Sequence, residues 1–147
     1  MNQIKAMTRL NALGTPAFGT REAAALLGVT PANATMILGR LARSGFLVHL
    51  ARGRWGIAGA VSRLALPELL SAPDPAYVSL QSALFHHGLI EQVPAVIYAI
   101  TLGRTRRVRN PVGTVSFHHM PSELLTGFNI SLRDGAKIAT AEKALFD

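Results

Sequence analysis

The chain has 147 residues, of which 49% are hydrophobic and 16% charged, and it contains no cysteine. That length holds one ordinary domain or two small ones, the apolar fraction excludes a disordered tail, and the missing thiols exclude disulfide frameworks, zinc ribbons and cysteine catalysis. The N-terminus has no apolar stretch followed by a small-residue cleavage site. The longest apolar stretch, Val93 to Leu102, falls short of the ~20 residues that span a bilayer as a helix. A cytoplasmic protein with no membrane partner is the expectation.

The formal net charge is +7, and its location matters more than its size. From position 1 to 63 there are eight basic residues (Lys5, Arg9, Arg21, Arg40, Arg43, Arg52, Arg54 and Arg63) and one acid, Glu22; the rest of the chain carries equal numbers of each sign. A positive field gathered on one small domain is the footprint of a polyanion binder.

In chain order, Ile4, Met7, Leu10 and Leu13 recur at helical spacing and predict a first helix ending at Gly14. A second starts with Thr20 as N-cap, runs through Leu27 and stops at Gly28. Thr30 caps a third, with Pro31 at its first position, which reaches about Ser44. Phe46 to Leu50 reads as a strand, Ala51 to Arg54 as a turn, and Trp55 to Ala58 as a short return strand. Three prolines between 64 and 75 mark a linker. Beyond it, Ser79 caps a helix through His87, Val96 to Leu102 and Thr114 to His118 read as strands, and Lys137 to Thr140 reads as a third that leads into a helix from Ala141. The predicted class is therefore α+β: a winged helix-turn-helix over 1–63, a linker over 64–75, and a small mixed α/β domain over 76–147.

The stretch from Thr20 to Leu41 carries the chemistry. A helix-turn-helix needs a small residue where its helices touch (Ala24), a residue that turns sharply between them (Gly28), and apolar positions on the second helix facing the first (Ala34, Ile37, Leu38, Leu41). The opposite arc holds Ala32, Met36, Gly39 and Arg43, flanked by Thr35 on one side and Asn33 and Arg40 on the other. It has no acid and suits a major groove ~12 Å wide. Asn33, in the first turn, has the amide that pairs with adenine. Arg40 and Arg43 suit phosphates, and so do Arg52 and Arg54 on the hairpin tip that forms the wing. The candidate DNA-binding residues are thus Thr30, Ala32, Asn33, Thr35, Met36, Arg40, Arg43, Arg52 and Arg54. Trp55 is expected to pack the base of the wing against the core.

Phe18 to Ala24, Gly45-Phe46-Leu47, Arg52 to Ile57, Tyr77 to Leu84, His87-Gly88-Leu89-Ile90 and Ala141 to Asp147 together resemble the AbiEi-type antitoxin family of transcriptional regulators. The resemblance implies a DNA-binding N-terminal domain that represses its own promoter. It also implies a C-terminal domain that counters a nucleotidyltransferase-type toxin without a stable complex. Members align a tyrosine where Trp55 stands and continue past the final helix, so the second domain is expected to be C-terminally incomplete.

Read from its own residues, the second segment offers less. Arg104, Arg106, Arg107 and Arg109 suit a second phosphate-binding patch, a dock for an acidic partner, or a solvated loop. His86-His87 and His118-His119 are adjacent pairs whose rings diverge, with neither cysteine nor carboxylate at ligand spacing, so no metal or other cofactor is expected. The acids are scattered singly, without a phosphate loop or nucleophile elbow, which points away from an enzyme. A nuclease using Glu123 or Asp134 ranks last among the readings. The alternative to a DNA regulator is a protein-interaction module that uses the winged helix, with Met36 and Trp55 as its anchors.

Overall fold

A computed structural model describes residues 1–131 and 134–147. Among these residues, helices and two β-sheets make a mixed α+β protein. The chain folds as two compact units, Met1–Val61 with Asn110–Val112, and Ser62–Arg109 with Gly113–Asp147. No helix among the described residues is long and apolar enough to cross a membrane.

The first unit begins with helix α1 (Gln3–Asn11), whose N-terminus is capped by the Asn2 side chain accepting from the Lys5 amide at 2.8 Å. Strand β1 (Ala17–Gly19) leads into α2 (Thr20–Leu27). The sequence points to Thr20 as the cap of α2, but Gly19 takes that place, and the Glu22 carboxylate accepts from the Gly19 amide. Thr20 is the first helical residue instead, which leaves its hydroxyl free to accept from the Trp55 indole. At the far end Gly28 turns the chain with φ +71°, a conformation that costs an L side chain about 1 kcal/mol or more.

Helix α3 (Pro31–Arg43) starts as its sequence predicts, with the Thr30 hydroxyl accepting from the Asn33 amide and proline at the first turn, where no N–H is needed. Loss of that one cap in Thr30→Ala is expected to lower the unfolding free energy by about 1 kcal/mol, read as a shifted urea midpoint at constant slope. Strands β2 (Leu47–Ala51) and β3 (Arg54–Ile57) pair antiparallel, and β1 joins the other edge of β3, giving the order β1-β3-β2. Side chains from all these elements form one core, including Leu10, Phe18, Leu27, Leu38, Leu41, Leu47 and Trp55. Each fully buried leucine contributes about 1.5–3 kcal/mol through area removed from water.

The second unit is built on a six-stranded mixed sheet. Its elements are α4 (Leu66–Ser71), β4 (Ala76–Val78), α5 (Leu80–His86), β5 (Ile97–Thr101), β6 (Arg106–Arg109), β7 (Thr114–His119), a 3-10 turn at Ser122–Leu124, β8 (Phe128–Ile130), β9 (Lys137–Ala139) and α6 (Ala141–Phe146). The strand order is β6-β7-β5-β4-β9-β8, with β5 parallel to β7, β4 parallel to β9 and the other neighbours antiparallel. Ala99 and Ile100 on β5 and Val115, Ser116 and Phe117 on β7 are buried in unbroken runs, as expected for strands covered on both faces.

The structure corrects several sequence readings here. Residues 64–75, read as a linker, contain α4, with Leu66 fully buried. Pro67 stands at the start of that helix, where proline is tolerated, so it does not mark a break. Thr140, placed at the end of a strand, caps α6 by accepting from the Lys143 amide. Ser79 precedes α5 but does not cap it with its side chain.

The Ser79 hydroxyl and the Tyr77 hydroxyl both donate to Oδ2 of Asp147, at 2.5 and 2.9 Å, while Lys143 Nζ lies 2.6 Å from Oδ1. This buried cluster ties α6 to β4. Burial pushes the Tyr77 phenol well above its ordinary range, and the hydrogen bond to Asp147 and the charge of that carboxylate push it further. A raised folded-state value means that its contribution is intact below the unfolded value of about 10 and is lost as pH rises beyond it. Urea midpoints measured from pH 8 to 11 are expected to fall above pH ~10, and to fall less steeply in Tyr77→Phe, which has no proton to lose.

Candidate nucleic-acid interface

The turn between β2 and β3 is the two-residue step Arg52-Gly53, with Gly53 at φ +73° and Ala51 paired to Arg54 across it. Its position is fixed from the other side. The Thr20 amide donates to the Gly53 carbonyl at 3.1 Å, and the Trp55 indole N–H donates to the Thr20 hydroxyl at 2.9 Å. Trp55 is 6% exposed and its ring lies 4.5 Å from that of His49. Gly56 follows because no β-carbon fits there: one would stand 2.6 Å from Val61 Cγ2. The hairpin tip is therefore locked onto the first turn of α2.

Between this tip, the start of α2 and the start of α3 lies an open hollow of about 860 Å3. Arg21, Arg52 and Arg54 supply its cations, Thr20, Thr35 and His49 add further polar side chains, and Glu22 is its single acid among the described residues. The Glu22 carboxylate already accepts from the Gly19 amide. Among the described residues the ion pairs are Lys137–Glu68 and Lys143–Asp147, both in the second unit, so no arginine of the hollow is matched by a carboxylate.

The outer arc of α3 is open: Ala32, Asn33, Thr35, Met36, Arg40 and Arg43 are exposed, while Ala34, Leu38 and Leu41 are fully buried beneath it. Two hydroxyls expected at the interface also have duties within the helix. Thr30 caps it, and Thr35 donates to the Pro31 carbonyl at 3.0 Å. Arg43 lies back along its own helix, with Nη1 3.7 Å from where a β-carbon of Gly39 would stand.

The nine expected residues do not form one cluster. Thr35, Arg52 and Arg54 share the hollow, whereas Arg40 borders a separate depression beside Met1, Asn2 and Gln3 at the start of α1. Arg21 and His49 are additions. Arg21 is legible in the sequence only as one charge among several, because its placement depends on Gly19 ending β1. Two other cations leave the count: Arg9 donates to the Leu27 carbonyl and finishes α2, and Arg63 belongs to the second unit. Trp55, buried and hydrogen-bonded, is not available as a protein-docking anchor, while Met36 is 58% exposed.

In the second unit the run of arginines is the edge strand β6, not a loop. Pairing with β7 splits it. Arg106 donates to the Leu70 carbonyl at 3.1 Å and lies over the Phe117 ring at 5.3 Å, so it is a structural residue. Arg107 and Arg109 are exposed on the opposite face of the strand, and Arg104 precedes it, also exposed. The histidines serve local bonds and contacts: His87 donates to the Ala139 carbonyl, His119 Nδ1 faces the carbonyls of Leu102 and Gly103, and His118 stacks on Tyr98. No group of three His, Cys, Asp or Glu among the described residues is placed to hold a metal ion.

No family model matches the chain, and no curated protein matches it.

Proposed function

We propose that the chain is a sequence-specific DNA-binding transcriptional repressor whose first unit is a winged helix-turn-helix, with α2 and α3 as the two helices and the β2–β3 hairpin as the wing. The observation that carries this reading is the hollow in which Arg21, Arg52 and Arg54 face the exposed start of α3 without carboxylate partners. An α-helix with its side chains is about 10–12 Å across and enters a major groove ~12 Å wide. With α3 in the groove, Asn33 reads a base edge, Arg40 and Arg43 meet phosphate, and the wing arginines follow the flanking backbone. The wing is held in place before DNA arrives, so little ordering cost opposes binding.

The likeness of its sequence to the AbiEi-type antitoxins supports reading the chain as the antitoxin of a type IV toxin–antitoxin operon. In this reading it acts in the cytoplasm on its own promoter and neutralises a nucleotidyltransferase-type toxin without a stable complex. No catalytic step is assigned to it.

Fluorescence anisotropy with duplex from upstream of its own gene, against an unrelated duplex, tests the repressor reading. Preference for the former by about 10³ or more at physiological salt is the expected result. Equal affinity for both removes the repressor, and no affinity for any duplex beside a stoichiometric protein complex makes α3, with Met36 exposed at its centre, a protein-docking helix. The antitoxin step has its own check: growth arrest by an adjacent nucleotidyltransferase gene should be relieved by this chain supplied in trans.

A further inference from the structure

The second unit carries an open groove of about 340 Å3, within the size range of small-molecule sites. Phe85, Val93, Pro94 and Ile97 give it apolar walls, Arg63 and His86 are its basic residues, and among the described residues no carboxylate lines it. Its one hydroxyl, on Ser82, is already engaged, donating to the Val96 carbonyl and accepting from the Tyr98 amide.

Two observations select the ligand. The first is charge. Arg63 makes no ion pair among the described residues, and its guanidinium sits over the backbone of Gly113, with Nε 3.4 Å from where a β-carbon would stand. The second is the wall. Val93 is 63% and Phe85 37% exposed, apolar surface that water covers at a cost when the groove is empty. A polyphosphate would satisfy the guanidinium and leave these walls wet, and a cation would meet Arg63 in repulsion.

We propose that this groove binds a small amphipathic organic anion, a carboxylate carried on a short acyl chain or a single ring. Arg63 takes the carboxylate through charge-assisted hydrogen bonds, with the His86 imidazole as a second donor, and the hydrocarbon lies against Phe85 and Val93. The site lies wholly in the second unit and does not depend on whether the first unit binds DNA.

NMR titration of the full chain with sodium octanoate, and with octanol and octylamine as neutral and cationic counterparts, tests it. Octanoate is expected to give saturable amide shifts confined to residues 63–64, 82–86 and 93–97, with both counterparts much weaker. Arg63→Gln should raise the octanoate Kd about tenfold or more, the effect of losing a charge-assisted pair. Val93→Asp, at an exposed position that leaves the fold intact, should abolish the shifts. Octanol or octylamine binding as tightly as octanoate, an unchanged Kd in Arg63→Gln with a native spectrum, or shifts scattered over the surface would each overturn the proposal.

Discussion

Replacing Arg52 and Arg54 together with alanine is expected to flatten the salt dependence of duplex binding, making the slope of log K against log salt less steep by about 1.8. Each phosphate neutralised on B-DNA releases counterions worth about 0.9 in that slope, and the double variant removes two contacts. The fold should survive the change. Neither side chain belongs to the core of the first unit, and the turn between them is held by the Gly53 carbonyl and by the Trp55 indole, which remain. The preference among sequences should also survive, because backbone contacts position a protein and base contacts specify. Asn33→Ala is the counterpart: it should lose about 1–3 kcal/mol of discrimination at one base pair and leave the salt slope alone. Anisotropy titrations at several salt concentrations separate the two. A double variant with an unchanged slope would remove the wing from the interface.

A second large effect is expected inside the protein. Asp147→Ala should lower the unfolding free energy by about 3–5 kcal/mol, because it leaves the Lys143 ammonium in place without its carboxylate. The Asp147 side chain is 1% exposed and that of Lys143 12%, so water does little to replace the missing partner. The hydroxyls of Tyr77 and Ser79 lose their acceptor in the same step. Since small domains are stable by only ~5–15 kcal/mol, this is a loss visible in any urea titration. Asp147→Asn, which keeps an acceptor oxygen, should cost less. The double change Lys143→Met with Asp147→Leu should recover much of the deficit, as buried pairs exchanged for apolar residues often do. If Asp147→Ala unfolds at the wild-type midpoint, the cluster does not hold α6 to the sheet.

How much of this is legible in the sequence varies with how local the determining physics is. The limits of α3 follow from Thr30, Pro31 and the spacing of Ala34, Leu38 and Leu41, all within one helix. Strands β5 and β7 announce themselves as runs of branched and aromatic residues, because both are covered on both faces. The three-residue strands β1, β4 and β8 are too short to show alternation, and β6 is an edge strand whose four positions include three arginines, so charge conceals it. Proline, read as a breaker in 64–75, opens a helix there. In the candidate site, the helical periodicity of α3 correctly separates exposed from buried residues but names no neighbours. It groups Arg40 with Arg52 and Arg54, although Arg40 borders the start of α1. It carries no hint that Arg106 turns to the Leu70 carbonyl while Arg107 and Arg109 face solvent, since that division is made by β7 and α4 from elsewhere in the chain.

Trp55 is the only tryptophan in the sequence, and it stands in the core of the first unit with its indole bonded to Thr20. Light absorbed at the red edge of the protein spectrum is therefore emitted from that unit alone, while Tyr77 and Tyr98 belong to the other. The molecule thus carries an intrinsic dye beneath its basic hollow, able to follow melting of one half, and the DNA binding proposed for it, without a label and without interference from the other.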